Sequence, residues 1–398
     1  MDVLVVADGH YYRDKNNKVY VESVFDYKFY QRYLSAFDNV YAIARMENVD
    51  TVPPYCKRAD GNNVFFLDIP ATRGVKQYFL NYLKTRTLIK NYIKRFDCAI
   101  FRVPGVVANL TYEEYIKTGK RFAIEVVVDP WEYFAPGTIQ GISRPFVRYE
   151  WTRKLKEMCL EATGVSYVTQ YYLQKKYPCR AMLEPNNDNY FTSFYSSVEL
   201  PDDKFGNPRV YEPKDKYIIS HVANAFTGYG KGHLTLMQAA KVVIEKGYNI
   251  EVWFIGDGPL RKEFEDYAKN IGIENNVKFL GRMPNGDAVR EKIKESDIFI
   301  FPTKAEGLPR VVLEAMAEGL PVISSPVCGI PEIIENKYLI KFEDYLRYAD
   351  VIIEVIEDCE DMTRVSDRNI EVSKRYRSSL LTEKRNGFYD KLNKMPYK

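Results

Sequence analysis

The sequence predicts an α/β protein with two doubly wound, Rossmann-like domains that face each other across a cleft. Short apolar runs alternate with longer segments of helical periodicity, which is typical of parallel β-α-β units. A chain of 398 residues is too long for one ordinary core and fits two domains of roughly 150–200 residues each. A segment rich in proline separates two sets of these runs.

The apolar runs of each half supply the strands of one predicted sheet. The runs of the first half are Val3–Ala7, Val40–Ile43, Val64–Leu67, Cys98–Val103, Ala123–Val128 and Val165–Val168. The runs of the second half are Tyr217–Val222, Glu251–Ile255, Val277–Leu280, Ile298–Phe301, Val322–Ser324 and Tyr338–Ile340. Open α/β sheets bind ligands where the carboxyl ends of their strands meet, so we expect the site in the cleft.

The segment between the two halves contains Pro201, Gly206, Pro208 and Pro213, and we interpret it as a linker. The predicted domains are therefore residues 1–205 and 214–375. The remaining residues, 376–398, are polar, basic and helical in pattern, and they either close the second domain or cross back to the first.

Composition and charge exclude several classes of protein. A net charge of +3, without a stripe of Lys and Arg, argues against binding to nucleic acid. The six cysteines form no CxxC pair and none has a His at ligand spacing, so we expect reduced thiols and no metal site. The N-terminus does not read as a signal peptide, and no run reaches the ~20 apolar residues of a spanning helix. These features predict a cytoplasmic protein.

The strongest functional signal is the segment 301–317, which follows a buried strand and opens a helix. Glu306 lies in the loop, Glu314 lies in the helix, and Gly307 and Pro309 bracket the turn between them. Free N–H groups and the helix dipole favour an anion such as a diphosphate at this position. The two carboxylates either accept hydrogen bonds from the hydroxyls of a sugar and a ribose or are solvated surface groups.

Three other loops of the second half lie at the same predicted edge. Gly256, Asp257 and Gly258 follow a buried strand, where a glycine turn permits close approach of a ligand to the backbone. The strand 276–280 also ends at a glycine. Lys231 stands between two glycines at the start of a helix, where its charge could meet a phosphate.

Taken in order, these loops resemble the donor-binding domain of family-4 glycosyltransferases, which have the two-domain GT-B architecture. The resemblance covers about residues 218–335 and includes the segments 319–325 and 329–332. It implies that the C-terminal domain binds a nucleotide-diphosphate sugar and the N-terminal domain binds the acceptor. The acceptor would be a glycan, a glycolipid or a lipid-linked saccharide, as in the synthesis of bacterial surface polysaccharides such as capsule or lipopolysaccharide.

The resemblance also implies roles for individual residues. Glu306 would contact the transferred sugar, Glu314 the ribose and Lys231 the diphosphate. The other implied donor-binding positions are the backbone of Gly307, Leu308, Pro309 and Arg310 for the phosphates, Arg282 and Met283 for the base, and Gly9, Asn224, Gly256, Asp257 and Gly258.

In this family the sugar is transferred with retention of configuration, and no metal or other cofactor is needed, because the helix dipole and basic side chains stabilise the leaving diphosphate. We expect a hexosyltransferase that uses a UDP-sugar rather than a GDP-sugar. The family usually has an Arg shortly before the Lys-Gly pair, whereas this chain has Asn224 in that stretch. Arg310 either replaces the missing charge or is an ordinary surface residue.

In the N-terminal half the match is weaker, and the usual Gly-Gly loop is replaced by Gly9, His10 and Tyr11 after the first strand. We predict that His10, Tyr11 and Trp131 contact the acceptor, although His10 could equally be an exposed loop residue. Glu125 and Asp129 are the candidate catalytic acids at the end of a buried strand.

Both acids also have a structural interpretation. Glu125 interrupts an apolar run and could form a buried ion pair with Arg102 or Arg121, because an unpaired buried carboxylate is costly. Asp129 precedes a proline and is an ordinary turn residue.

Residues 71–96 contain no acidic residue and alternate basic with apolar side chains. This pattern indicates one or two basic amphipathic helices. These helices either lie against the anionic inner face of the cell membrane or pack on the sheet with a basic outer face.

Two further hypotheses stay open beside the glycosyltransferase. One is a non-catalytic partner of an active glycosyltransferase. The presence of Glu306, Glu314 and Lys231 argues against it, and the missing Arg keeps it open. The other is a GT-B nucleotide-sugar epimerase, which needs no acceptor. Product formation with and without an acceptor would separate these hypotheses.

Overall fold

The computed structural model describes residues 1–136, 144–284 and 286–395, and it contains two separate sheets. The elements of the first part are β1 (Asp2–Val6), β2 (His10–Arg13), β3 (Val19–Val21), α1 (Tyr27–Gln31), β4 (Asn39–Asn48), β5 (Lys57–Arg58), β6 (Val64–Pro70), α2 (Gly74–Ile93), β7 (Cys98–Val103), α3 (Val106–Tyr115), β8 (Arg121–Val126), α4 (Pro130–Tyr133), α5 (Arg144–Glu161), β9 (Gly164–Tyr167), α6 (Tyr172–Lys176), α7 (Arg180–Leu183) and β10 (Phe191–Phe194).

The first sheet has a parallel core with a small extension at one side. Its order is β10-β9-β8-β7-β1-β4-β2-β3-β5, and β6 also pairs with β4. The long strand β4 pairs with β1 through residues 39–42 and with β2 through residues 45–48. β3 and β5 then continue the sheet in antiparallel fashion. The helices therefore begin at the carboxyl edge of the parallel core, as in other doubly wound sheets.

The second sheet is wholly parallel, in the order β13-β12-β11-β14-β15. Its elements and those that follow are β11 (Tyr217–Ala225), α8 (His233–Glu245), β12 (Ile250–Asp257), α9 (Arg261–Asn270), β13 (Val277–Gly281), α10 (Gly286–Lys294), β14 (Ile298–Phe301), α11 (Arg310–Ala317), β15 (Val322–Ser324), α12 (Tyr345–Glu357), α13 (Cys359–Lys374) and α14 (Ser378–Lys394). The predicted α/β fold with two Rossmann-like sheets is confirmed.

One predicted strand is wrong. Residues 336–338 form a 3₁₀ turn, and the run Tyr338–Ile340 contributes only a single bridge between Leu339 and Ser324. The run is apolar because Tyr338 and Ile340 pack into the core beside β15, and burial alone does not distinguish a strand from a buried turn.

The segment 200–213 lies against the second sheet's helices. The guanidinium of Arg209 donates to the carbonyls of Lys294, Ser296 and Glu318 at 3.0, 2.7 and 2.9 Å. These carbonyls lie at or just beyond the C-terminal ends of α10 and α11, where backbone acceptors lack helical partners. One side chain therefore ties the segment to two helix ends.

The last helix, α14, packs on the first sheet. The Phe388 ring lies 5.0 Å from the Phe191 ring, and the amide of Asn393 donates to the Ala36 carbonyl at 2.6 Å. The Tyr389 hydroxyl donates to Glu125 Oε1 at 2.6 Å. The chain therefore returns to its N-terminal part after the second sheet is complete. Residues 396–398 of the predicted C-terminal segment lie outside the described residues.

Glu125 is the centre of a buried polar network in the first sheet. Its carboxylate accepts from Arg102 Nη1 at 3.0 Å, from the hydroxyls of Tyr33 and Tyr195 at 3.1 Å each, and from Tyr389. Only 2% of the residue is exposed. Of the two predicted ion-pair partners, the structure has Arg102.

The charge of Glu125 is stabilised although the group is buried. Burial would raise its pKa, but the charges of Arg102 and Arg32, with the hydrogen bonds from Tyr389 and Arg102, outweigh it and lower the pKa. Glu125 is therefore ionised in the folded protein.

The core of the second sheet contains two neutral histidines. His221 Nδ1 lies 2.9 Å from the Ile300 carbonyl oxygen, and the His233 ring lies 4.8 Å from the His221 ring. Phe226 and Phe264 contact His233 with ring centroids at 4.4 and 4.5 Å. Burial lowers the pKa of His221 to about 4 and that of His233 to about 2.

We predict that Tyr389→Phe lowers the free energy of unfolding by about 1.5–3 kcal/mol, because it removes a hydrogen bond to a buried charge. Denaturant unfolding would measure the change. Tyr149→Phe is the matched control, since this tyrosine is 62% exposed. A Tyr389→Phe variant as stable as the control variant would show that α14 is not held by this bond.

We also predict that the two histidines make the protein sensitive to acid. Below the ordinary histidine pKa of ~6.5 the unfolded chain binds protons that the folded chain excludes. The free energy of unfolding therefore decreases as the pH is lowered. The loss is about 1.4 kcal/mol per pH unit for each histidine down to its folded pKa. Between about pH 7 and about pH 5, His233→Phe should lose roughly 2 kcal/mol less than the unaltered protein in denaturant titrations. Equal losses would contradict this assignment.

Candidate functional site

The loop between β14 and α11 lies at the carboxyl edge of the second sheet. α11 begins at Arg310, and Pro309 is its extended N-cap residue. The expectation that Pro309 offers a backbone amide to a phosphate is wrong, because proline has no amide hydrogen. The N–H groups available at this helix start therefore belong to Leu308, Arg310 and the residues after it.

Glu306 and Lys231 form an ion pair in this structure. The side chains are 19% and 38% exposed, so the pair is open to the cleft. Lys231 reaches Glu306 because its turn packs on the β14-α11 loop, where the Lys304 amide donates to the Gly230 carbonyl at 2.9 Å. Gly232 has a φ of 74°, and a Cβ there would lie 2.3 Å from the Pro302 carbonyl oxygen. Only glycine permits this approach.

Glu314 lies in the second turn of α11 and is half-buried. Burial raises the pKa of its carboxyl, and the charge of Arg310 opposes this effect. Within the described ranges, no side-chain hydrogen bond or ion pair involves the Glu314 carboxylate. Its oxygens are therefore free to accept hydrogen bonds from a ligand.

The glycine turn after β12 is fixed by packing. Gly256 has a φ of 135°, and a Cβ at this position would lie 1.7 Å from the Ala223 carbonyl oxygen. The Asp257 carboxylate accepts from the Gly258 amide at 2.8 Å. Asn224 is exposed at the end of the neighbouring strand β11. These residues therefore line the same sheet edge, although Gly256 is required even without a ligand.

Arg282 and Met283 follow β13. Arg282 is exposed, and its guanidinium carbon lies 5.2 Å from the ring centroid of Tyr55 in the first domain. Met283 is half-buried against the core. Tyr55 is 74% exposed and has a φ of 68°, which is rare for a bulky residue. Nothing in the sequence singles out Tyr55, because the loop 49–56 has no regular periodicity.

Two contacts bring the edges of the sheets together. A Cβ on Gly307 would lie 2.0 Å from the Val127 carbonyl oxygen, so this glycine permits the loop of the second sheet to touch the end of β8. The Glu332 carboxylate accepts from the amides of Gln170, Tyr171 and Tyr172 at 2.7, 3.0 and 2.6 Å. It thereby caps the start of α6 from the other domain, where a negative charge is favourable.

The carboxylates of both candidate acids of the first sheet already accept several hydrogen bonds within the protein. Glu125 is saturated by the network described above. Asp129 is fully buried, and its carboxylate accepts from the hydroxyls of Tyr172 and Tyr177, from Lys176 and from the Trp131 amide. Asp129 thus acts as the N-cap of α4. Neither carboxylate stands free to accept a proton from a substrate.

The residues predicted to contact the acceptor differ in how deeply they are buried. Tyr11 is fully buried and its hydroxyl lies 2.6 Å from that of Tyr30, so the prediction that it contacts an acceptor is wrong. Gly9 supports this burial, since a Cβ there would lie 2.8 Å from the Tyr11 ring. His10 is half-buried, and burial lowers its pKa, with the charge of Arg45 acting in the same direction.

Trp131 is 39% exposed and remains available to a ligand. The guanidinium carbon of Arg148 lies 3.9 Å from its ring centroid, and Arg148 Nε donates to its carbonyl at 2.6 Å. In the described part of the chain, no group of three or more His, Cys, Asp or Glu residues is placed to hold a metal ion. No helix of the described residues is long and apolar enough to span a bilayer.

Comparison with known proteins extends these observations. Residues 204–372 match the family model of glycosyl transferases group 1. The chain is 29% identical to protein CapJ of Staphylococcus aureus over 390 residues. This alignment covers 97% of this chain and 90% of that protein. It is 32% identical over 180 residues to N-acetyl-alpha-D-glucosaminyl L-malate synthase of Bacillus anthracis, a match that covers 44% of this chain and 46% of that enzyme.

Solved structures show the same fold at low sequence identity. HepE of Anabaena, in complex with UDP and glucose, aligns with a TM-score of 0.63 and 14% identity over 96% of this chain and 97% of its own. Sucrose-phosphate synthase of Thermosynechococcus elongatus aligns with a TM-score of 0.64 and 13% identity over 96% of both chains. TarM of S. aureus aligns with a TM-score of 0.56 and 17% identity, and the match covers 59% of that longer chain.

These neighbours share the GT-B arrangement of two facing Rossmann-like sheets that the present structure has. The family match coincides with the sheet that carries Lys231, Glu306 and Glu314. Over residues 204–372, therefore, the chain carries a domain of the group 1 glycosyltransferase family within a GT-B fold, and it is a glycosyltransferase.

Proposed function

We propose that the protein is a retaining, metal-independent hexosyltransferase of family 4. It transfers a sugar from a nucleotide-diphosphate donor, UDP rather than GDP, to a hydroxyl of a glycan, glycolipid or lipid-linked saccharide. The observation that carries the proposal is the group of Lys231, Glu306 and Glu314 around the start of α11. The donor domain is residues 214–375, and the acceptor domain is residues 1–205.

Donor binding requires the ion pair between Lys231 and Glu306 to separate. The lysine would turn to the diphosphate and the glutamate to the sugar hydroxyls, so each charge exchanges one partner for another. The free Glu314 carboxylate would accept the ribose hydroxyls. The amides at the start of α11 would face the phosphates, where the helix dipole stabilises the negative charge that develops on the leaving group. UDP in the HepE and TarM structures supports the choice of nucleotide.

Retention without a side-chain base agrees with the environment of the acids. Glu125 and Asp129 are both buried and hydrogen-bonded, so a base must come from elsewhere. We propose that the acceptor hydroxyl attacks the anomeric carbon from the face that the diphosphate leaves. The C–O bond to the diphosphate breaks, the new glycosidic bond forms, and a diphosphate oxygen receives the hydroxyl proton.

We further propose that the enzyme builds a surface polysaccharide at the cytoplasmic face of an anionic membrane. The name of one relative supports the product class: the amylovoran biosynthesis glycosyltransferase AmsK of Erwinia amylovora is 34% identical over 112 residues, 27% of this chain. The support for membrane contact is α2. Phe79, Leu80 and Leu83 are 70%, 76% and 76% exposed on its outer face, and Lys76 and Lys84 beside them are exposed too. Apolar side chains flanked by lysines on one helix face suit the interface of an anionic bilayer.

The donor prediction is tested by thermal unfolding with a panel of nucleotide sugars. A UDP-sugar should raise the unfolding midpoint, because a ligand of the native state stabilises it by mass action. Lys231→Met and Glu306→Gln should reduce this shift, whereas Lys241→Met and Glu274→Gln, outside the site, should not. Glu306→Gln should also lower the transfer rate at least ~100-fold, since it removes a charge at the sugar.

Other outcomes would favour the competing hypotheses. Release of free nucleotide and a rearranged sugar without acceptor would indicate an epimerase. No shift with any nucleotide would indicate a non-catalytic partner protein. Product with inverted configuration by NMR, or transfer abolished by a chelator, would refute the proposed mechanism while leaving the glycosyltransferase in place.

The membrane prediction is tested by flotation with lipid vesicles. The enzyme should float with anionic vesicles and much less with neutral ones. Replacement of Phe79, Leu80 and Leu83 by serine should weaken binding roughly tenfold or more, because their apolar area no longer enters the interface. Leu183→Ser and Leu346→Ser, at exposed sites on other helices, serve as the control. Equal flotation with both lipids would exclude the anionic membrane as partner.

A further inference from the structure

A cavity of about 280 Å³ lies in the cleft beside the donor domain's α11. It is bounded by α1 and the turn that follows it, by β5, by the end of β7, by residues 197–199 after β10 and by the start of α11. Five basic side chains from both domains line it, and we name this group the basic cleft pocket: Lys28, Arg32, Lys57, Arg102 and Arg310.

The carboxylates of the pocket do not balance its positive charge. Two acidic residues line it, Asp26 and Glu199. Glu199 pairs with Lys28 at 2.6 Å, and Asp26 lies 3.9 Å from Lys57. Each acid is thereby matched with one lysine, and three guanidinium groups remain.

Of the three arginines, one forms an ion pair with a described residue. Arg102 pairs with Glu125, whose remaining acceptor sites are filled by three tyrosine hydroxyls. Arg32 and Arg310 form no ion pair with any of the described residues. Guanidinium groups gathered in a partly enclosed cavity attract an anion.

Arg32 and Arg102 are also held in place before any ligand arrives. Their guanidinium carbons lie 4.2 and 5.4 Å from the centroid of the Phe29 ring, and Arg32 Nε donates to the Phe29 carbonyl at 2.8 Å. Stacked guanidiniums keep their remaining N–H groups free for bidentate bonds. The pocket therefore presents ordered donors of the kind that bind phosphate or carboxylate.

The pocket differs from the donor phosphate site. Lys231 and Glu306 do not line it, and most of its cations come from the first domain. Arg310 connects the two, because it begins α11 and precedes Glu314 by one helical turn. A group bound in the pocket would therefore lie across the cleft from a donor bound at α11.

We propose that the basic cleft pocket binds a negatively charged group of the acceptor, a phosphate or a carboxylate. This inference rests on the proposed function, since it assigns the acceptor's chemical class to the same cleft. The acceptor is then an anionic saccharide, either a sugar or lipid phosphate or a uronic acid.

The test is calorimetric binding of glucose 1-phosphate, glucuronate and glucose to the enzyme with its donor site filled by UDP. One or both anions should bind, more weakly at high salt, and neutral glucose should bind at least roughly tenfold more weakly. The anion that binds more tightly distinguishes phosphate from carboxylate. Binding of no anion, or equal binding of glucose, would overturn the proposal.

Variants separate the pocket from its surroundings. Arg32→Gln and Lys57→Gln together should weaken anion binding roughly tenfold or more, whereas Lys246→Gln and Lys262→Gln, which remove two distant charges, should not change it. Arg32→Lys keeps the charge and should retain more binding than Arg32→Gln. Unchanged anion binding in the pocket double variant would refute the assignment.

UDP binding distinguishes failure of this inference from failure of the proposed function. If UDP binds and the anions do not, the pocket assignment is wrong and the donor site stands. If UDP does not bind, and the anions bind to the unaltered protein but not to the Arg32→Gln, Lys57→Gln double variant, the pocket stands and the donor assignment is wrong. The thermal shift with UDP also shows that each variant is folded.

Discussion

A single buried carboxylate, Glu125, joins parts of the chain that are far apart in sequence. It lies on β8 and binds Arg102 on β7, Tyr33 in the turn after α1, Tyr195 after β10 and Tyr389 on α14. A buried charge with one partner removed is strongly destabilising, so all these elements must be in place together. The network thus makes the return of α14 to the first sheet part of the same cooperative unit as the cleft edge.

The network also explains why the arginines face the cleft. Glu125 compensates one positive charge at the end of β7, which permits Arg102 to be only 13% exposed. Arg32 also lies against the Phe29 ring and contributes a second charge to the same region. The carboxylate that seemed a candidate catalyst is better understood as the counter-ion that holds a basic surface in position.

The donor side follows a different electrostatic rule. Glu306 and Lys231 neutralise each other, while the Glu314 carboxylate, which has no ion-pair partner among the described residues, is half-buried, and burial raises its pKa. The pair is partly buried, so solvent screens it in part and reduces the cost of separating it. A diphosphate and a sugar could therefore replace the internal partners of Lys231 and Glu306, since each side chain would exchange one polar partner for another.

Much of this organisation was predictable from sequence, because strand periodicity and the order of the glycine loops are local signals. β7, β14 and β15 were predicted at their observed bounds, and the loops of Lys231, Gly256 and Glu306 do meet at one sheet edge. The antiparallel extension was missed, because β2, β3 and β5 are short and carry polar or aromatic residues. The burial of Tyr11 was missed for a related reason: an aromatic residue after a glycine suits a ligand loop and a core equally. The choice between Arg102 and Arg121 as partner of Glu125 depended on the pairing of β7 with β8, which a pattern along one strand does not contain.

The basic cleft pocket could not be predicted from the sequence at all. Its cations come from α1, the following turn, β5, β7 and α11, so no segment of the sequence is basic enough to reveal it. They meet only because both sheets present their carboxyl edges to one cleft, and because Gly307 and Glu332 let those edges touch. A donor diphosphate at α11 and an acceptor anion in the pocket would repel each other across a short distance. The positive charges of Arg310 and of the first-domain arginines that line the pocket would lower this repulsion.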